Sequence, residues 1–323
     1  MRAIVRHRYG TTEVFELREL ERPVPRSGEV LVKVEAAGLD RGVWHLMAGL
    51  PYLVRLFTGI PRPRKAVLGL ECAGVVEQVG PDVVGLRVGD EVFGECAGAF
   101  AEYARARADR LTLRPPGLTP AEAAAVPISA VTALQGLRDV GRIAAGQRVL
   151  VIGASGGVGC YAVQLAKLAG AEVTAVCGPA KAGLVRELGA DTVLDHTRED
   201  CTDGPAGAYD LILDLAGDHP LPRLRRVLAP RGTLVLAGGE GGGRVFGGVA
   251  KQLRAAVLAP FARQRLRSLL ARTKQDDLVH LRELLADGRL RVVLDRTFPL
   301  AEVPDAVRYL EEGKVRGKVA VLL

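Results

Sequence analysis

Val149-Leu-Val-Ile-Gly-Ala-Ser-Gly-Gly-Val-Gly159 decides the fold. Four apolar residues, Val149 to Ile152, read as a strand buried on both faces, and a glycine-rich turn follows at once. The segment from Gly157 to Ala169 then reads as a helix. Aligned on the dinucleotide fingerprint, Ala154 takes the first glycine place, Gly156 the second and Gly159 the third. Gly156 lets backbone come close to a pyrophosphate, and Gly159 lets the helix lie against the strand. The N–H groups of the turn, through Ser155, Gly156, Gly157, Val158 and Gly159, face the negative charge. A glycine-rich loop alone reads equally as a tight turn between strand and helix, but here strand, turn, helix and next strand arrive in register, so the stretch predicts a dinucleotide site.

Working outward, the rhythm of strand and helix repeats. Glu172 to Val176, Thr192 to Leu194, Leu211 to Leu213 and Thr233 to Leu236 are short apolar strands, with a helix predicted around Lys181 to Leu188. This is the grammar of a doubly wound α/β domain with a parallel sheet, a Rossmann fold, assigned to residues 118–260. An arginine-rich stretch after Gly243, through Lys251 and Arg272, reads as helical, its arginines as a solvated or oligomer-facing surface. Residues 1–117 differ: strands such as Glu29-Val-Leu-Val-Lys-Val-Glu35 alternate with period two between Gly and Pro breaks, which predicts a β-rich domain. Residues 261–323 return to short strands and are assigned back to that first domain.

The choice between NAD and NADP rests on the end of the second Rossmann strand, where a carboxylate would select the ribose hydroxyl. This chain has Val176-Cys-Gly-Pro-Ala-Lys181 there, with no acid between Glu172 and Glu187. Gly178 leaves room for a 2′-phosphate and Lys181 neutralises it, with Arg186 a second candidate. NADPH is therefore the expected cofactor.

Composition sets wider limits. A chain of 323 residues with 25% charged and 48% hydrophobic residues suits a two-domain globular protein. The net charge of +7 is spread along the chain, so no nucleic-acid partner is expected. No apolar run approaches the length of a spanning helix, and no membrane partner is expected. Five scattered cysteines without a C-x-x-C pair fit reduced thiols in the cytoplasm.

Several segments together carry a family resemblance: Val67-Leu-Gly-Leu-Glu-Cys-Ala-Gly-Val-Val76, Val88-Gly-Asp-Glu-Val-Phe93, Gly98-Ala-Phe-Ala-Glu-Tyr103, Ala124-Ala-Val-Pro127, the 154–159 loop, Leu188-Gly-Ala-Asp191 and Gly317-Lys318. With these the chain resembles the medium-chain dehydrogenase/reductase superfamily, in its zinc-free quinone oxidoreductase-like branch. The resemblance implies a GroES-like catalytic domain built from both chain ends, a Rossmann domain, a site in the cleft between them, and a homodimer. Where zinc-dependent relatives place ligands, this chain has Asp40, Leu70 and a position near Ile128, so no metal is expected.

Without a metal, hydrogen bonds must polarise the acceptor, which favours conjugated carbonyls such as quinones and enones. Relatives carry asparagine where this chain has Asp40, and aspartate where it has Val43. An ionised aspartate cannot donate a hydrogen bond, so Asp40 is protonated, pairs with a cation such as Arg41, or serves another purpose. His45 and Tyr52 are candidate proton donors. The resemblance further implies cofactor contacts from Thr132, His196, Gly238 and Gly239, and a phosphate contact from Lys318. The expected activity is NADPH-dependent reduction of a small conjugated carbonyl compound. The alternatives are a biosynthetic tailoring enzyme with a dedicated substrate, and a non-catalytic NADPH-binding protein.

Overall fold

The structure is a computed structural model, and it describes residues 1–238 and 243–323. The chain forms two compact units: residues 1–131 with 273–323, and residues 132–272. The sequence-based boundaries after 117 and 260 lie earlier in the chain than these. Strands β1 (Arg2–Val5), β2 (Glu16–Glu19), β3 (Glu29–Leu39), β4 (Glu71–Val79), β5 (Glu91–Glu95), β6 (Tyr103–Arg107) and β7 (Leu111–Leu113) belong to the first unit. The second holds β8 (Arg148–Ile152), β9 (Glu172–Cys177), β10 (Thr192–Asp195), β11 (Tyr209–Asp214), β12 (Leu228–Leu236) and β13 (Arg265–Ser268). The chain returns to the first unit for β14 (Leu294–Pro299) and β15 (Lys318–Leu322).

In the first unit, β15 lies antiparallel to β3, with Val319 opposite Leu39 and Leu322 opposite Ala36. The chain end is thereby stitched into the N-terminal sheet, whose path runs β14-β15-β3-β4-β5-β7, with β6 also on β3. Alternation along β3 buries Val30, Val32 and Val34 against Phe100, Leu111 and Val319, which makes the core of this unit.

The second unit carries one parallel sheet among the described residues, in the order β10-β9-β8-β11-β12-β13. Counted from β8 this is the order 3-2-1-4-5-6 of a Rossmann fold. Its strands are apolar because helices cover both faces: Leu150, Ile152, Ile212 and Leu234 are buried in one such layer. The stretch read as helical through Arg272 is corrected here. After the helix Val249–Leu258 the chain forms β13, with Leu266 buried and its arginine neighbours pointing away at the sheet edge. Among the described residues, no helix is long and apolar enough to cross a membrane.

Candidate functional site

Ligands of open α/β sheets bind at the carboxyl ends of the strands, where the strand order reverses, here between β8 and β11. Gly153 leaves β8 at φ +85°, a left-handed conformation that glycine adopts without strain, so the sharp turn falls one residue before the first fingerprint position. Its N–H and that of Ala154 both bond Val176 O, at 3.2 and 3.0 Å, fastening the turn to the next strand. Ser155 is buried at 7% exposure, and Gly156 is the N-cap of the helix Gly157–Leu168.

The two later glycines differ in kind. A Cβ on Gly159 would stand 2.2 Å from Gly153 O, so only glycine allows the helix to approach the turn. A Cβ on Gly156 would meet nothing closer than 3.5 Å, which leaves open space at the helix start. Cys160 N–H bonds Gly156 O at 2.9 Å, and the N–H groups of Gly157, Val158 and Gly159 precede it at the positive end of the helix. This cradle fits a pyrophosphate.

At the ends of β9 and β10, Gly178 and His196 face each other: a Cβ on Gly178 would stand 3.4 Å from His196 Nε2. His196 N–H bonds Cys177 O at 3.3 Å, and Lys181 N–H bonds Gly178 O at 3.0 Å. Beside them is a cavity of ≈490 Å³ whose wall includes Arg186, Asp195 and Arg198. Arg198, which the sequence reading did not single out, adds a cation two residues beyond His196. The Asp195 carboxyl sits below its ordinary range because Thr197 donates to it from both N–H and hydroxyl. Glu199 lines the same cavity, so its two acids, Asp195 at the end of the third strand of the fold and Glu199 beyond it, both lie off the second strand.

Gly238 follows β12, and a Cβ there would stand 2.4 Å from Leu215 O. Gly239 lies outside the described residues. Thr132 sits inside the helix Pro127–Leu134 and is half-buried. A feature missed from sequence is the ion pair of Lys251 with Asp214, 2.7 Å apart at the end of β11, with Lys251 also donating to Gly217 O at 2.7 Å. Lys251 is thus a strut for the loop after β11.

In the first unit, Asp40 is the N-cap of the helix Arg41–Ala48, its Oδ1 accepting from Val43 N–H at 3.2 Å. Its Oδ2 is buried without a hydrogen-bond partner. Asp before a helix favours capping, and this signal was available in the sequence. His45 Nδ1 lies 2.8 Å from Leu50 O, which places a proton on Nδ1 and makes Nε2 the basic nitrogen of the neutral ring. The Trp44 ring meets His45 edge-on at 5.0 Å. Tyr52 is 42% exposed, with the Arg55 guanidinium 4.7 Å from its ring centre.

Lys318 corrects an expectation. Rather than standing ready for a cofactor phosphate, it is 2% exposed and pairs with Glu71 at 2.6 Å, donating also to Ser129 Oγ at 3.1 Å. Glu71 uses its other oxygen for Ile128 N–H at 2.8 Å. Burial raises the Glu71 carboxyl above its ordinary value, the Lys318 charge opposes that, and Asp40 nearby adds to it. At the zinc-ligand positions of the metal-dependent relatives, Asp40 offers one carboxylate, Leu70 no donor and Ile128 only backbone, while Glu71 is committed to Lys318. This donor set does not fit tetrahedral zinc.

Two family models match the chain: an "alcohol dehydrogenase GroES-like domain" over residues 26–116, within the first unit, and a "zinc-binding dehydrogenase" domain over residues 188–321, which spans the later part of the second unit and most of the returning segment of the first. A chloroplastic quinone-oxidoreductase homolog of Spinacia oleracea is 34% identical, covering 97% of this chain and 95% of its own. An NADPH-dependent alkenal/one oxidoreductase of Arabidopsis thaliana chloroplasts is 31% identical over 99% of this chain and 79% of its own. The quinone oxidoreductase structure from Coxiella burnetii superposes with TM-score 0.88 at 27% identity, covering 100% of this chain and 99% of that one. With a GroES-like unit closed by its own C-terminus and a nicotinamide-type Rossmann unit, the chain belongs to the medium-chain dehydrogenase/reductase superfamily, among its quinone oxidoreductase relatives.

Proposed function

We propose that this protein is an NADPH-dependent, zinc-independent reductase of quinones or α,β-unsaturated carbonyl compounds. The observation that carries the cofactor choice is the end of β9, where Gly178 and Lys181 stand in place of an acid and Arg186 and Arg198 line the adjoining cavity. The cradle from Gly153 to Gly159 would hold the pyrophosphate, Lys181 the 2′-phosphate and His196 the adenosine end. Bound there, the nicotinamide supplies a hydride.

The chain's own residues do the remaining work. The Tyr52 hydroxyl, and the His45 ring once Nε2 has taken up a proton from solvent, its orientation held by the Nδ1 bond to Leu50 O, are the groups assigned to deliver a proton to the reduced acceptor. Conjugated acceptors suit a site without a Lewis acid, because hydride addition at the β-carbon leaves an enolate whose negative charge is shared between the α-carbon and oxygen, and hydrogen bonds suffice to hold it. The names of the relatives, quinone oxidoreductase and NADPH-dependent alkenal/one oxidoreductase, support the same class. Five free, buried thiols support a reducing compartment, and we assign the cytoplasm. We also assign a homodimer, supported by β13 standing at the edge of its sheet among the described residues, since an edge strand is a template for pairing with a second copy.

The test is NADPH and NADH consumption with a panel of quinones, enals and enones after treatment with a strong chelator. Turnover with NADPH that survives chelation is expected. No consumption with any acceptor overturns the reading, and activity that is lost on chelation and restored by zinc overturns the metal-free part.

A further inference from the structure

Arg6 follows β1 and is 2% exposed, yet its Nε and Nη1 are buried without a hydrogen-bond partner. The backbone N–H of Arg6 bonds Ala66 O at 2.9 Å, which fixes the main chain from which the side chain projects. Its aromatic neighbour is the Tyr9 ring, 5.2 Å from the guanidinium carbon, and burial lowers the guanidinium pKa. A guanidinium taken out of water with donors unmet carries a large desolvation cost, and a carboxylate or phosphate is the partner whose shape fits its fork.

Arg6 forms part of the wall of a cavity of ≈600 Å³ that lies within the first unit. The same wall holds Arg105, Arg107 and Arg110, each already paired, with Glu29, Asp109 and Glu95 respectively. Arg64 and Lys65 also line it and have no ion pair among the described residues. The uncompensated charge of the cavity is therefore positive. Two further wall residues connect it to the candidate site: Leu46 follows His45, and Leu70 lies beside Gly42, next to Asp40.

We propose that this cavity is an anion subsite of the acceptor pocket, in which Arg6, with Arg64 and Lys65 at its rim, receives a carboxylate or phosphate carried by the substrate. The acceptor is then a conjugated carbonyl compound with an apolar body and an anionic end, rather than a neutral quinone. This rests on the reductase reading above.

The experiment compares oct-1-en-3-one with its analogue in which the terminal methyl is a carboxylate, in wild type, Arg6→Met and the Arg64→Ala/Lys65→Ala double variant. Wild type is expected to prefer the carboxylate by at least about tenfold in kcat/KM, through KM, with the ratio falling to about one in Arg6→Met and several-fold in the double variant. Equal use of the two enones by wild type, or a preference that survives in both variants, overturns the proposal. If Arg6→Met does not fold, the double variant, altered only at exposed residues, decides. Should neither enone be reduced, the reductase reading is decided by the full panel of quinones, enals and enones, and the anion site is judged by calorimetric titration with inorganic phosphate at saturating NADPH. One equivalent bound by wild type and lost in the variants then upholds the site, and no binding removes it.

Discussion

Lys318 Nζ and Glu71 Oε1 stand 2.6 Å apart, 247 residues distant in sequence, and both are out of contact with water. The pair joins β15, and hence the chain end, to β4, and through Ile128 and Ser129 to the start of the helix Pro127–Leu134. Replacing both partners by apolar residues would cost little, whereas removing one strands the other. Lys318→Met is expected to lower stability by about 3–5 kcal/mol near neutral pH. Without the lysine, the Glu71 carboxyl rises further above its ordinary value, so the folded protein holds the proton more tightly than the unfolded chain. Stability is then kept at acid pH and lost as pH rises through the raised pKa. Urea midpoints at pH 5 and pH 8 check this: the deficit of Lys318→Met should be larger at pH 8.

The two glycines of the cofactor turn separate folding from binding. Gly159→Ala forces a methyl to within 2.2 Å of Gly153 O, so loss of stability and of NADPH binding are expected together. Gly156→Ala meets nothing within 3.4 Å, and its methyl enters the space assigned to the pyrophosphate. Its melting temperature should stay near wild type while NADPH affinity falls at least tenfold. Thermal melts beside fluorescence titration distinguish the two.

Cofactor choice is testable at Lys181 and Gly178. Lys181→Ala removes the cation proposed to meet the 2′-phosphate and should raise Kd for NADPH by roughly 10- to 100-fold while leaving NADH almost unchanged. Gly178→Asp supplies the missing carboxylate, and its Cβ has ordinary room beside His196. It should reverse the preference toward NADH. Equal effects of Lys181→Ala on both cofactors would place the 2′-phosphate elsewhere.

Cys201 illustrates a thiol that sequence alone cannot grade. Burial pushes its pKa up to about 12, with the charges of Asp200 and Asp214 adding to the effect. At pH 8 the thiolate is then roughly one part in ten thousand, although His219 Nε2 lies 3.5 Å from Sγ. All five cysteines are buried. Native protein should therefore resist a disulfide-exchange reagent at pH 8 and show five reactive thiols once unfolded.

How far the sequence speaks depends on the range of the interaction. Strands β8, β9 and β11 are legible because burial on both faces makes them runs of valine, leucine and isoleucine, and the turn is legible because glycine is sterically required. β13 is not, since an edge strand of Arg265-Leu-Arg-Ser268 buries a single leucine and carries no periodic signal. Lys251 and Lys318 are indistinguishable in sequence from surface lysines. What fixes their roles is a carboxylate 37 or 247 residues away. The unmet donors of Arg6 likewise appear only once the sheet and the segment around Ala66 have closed over them.

Asp40 remains the place where this chain departs most from its relatives, and capping and chemistry can be separated there. As N-cap its Oδ1 holds Val43 N–H, so Asp40→Ala should cost about 1 kcal/mol of stability, whereas Asp40→Asn keeps an equally good cap. The amide of Asp40→Asn also turns the buried, unpartnered Oδ2 position into one able to donate a hydrogen bond. If carbonyl polarisation limits turnover, Asp40→Asn should raise kcat for neutral enones with stability unchanged, and Asp40→Ala should lower both. Restoring the relatives' aspartate at Val43 is not an equivalent experiment. Val43 is fully buried in the core of the first unit, so Val43→Asp would place a carboxylate among apolar side chains and unfold the site rather than tune it. A kcat for Asp40→Asn below that of wild type would assign the native carboxylate, not an amide, to the reaction.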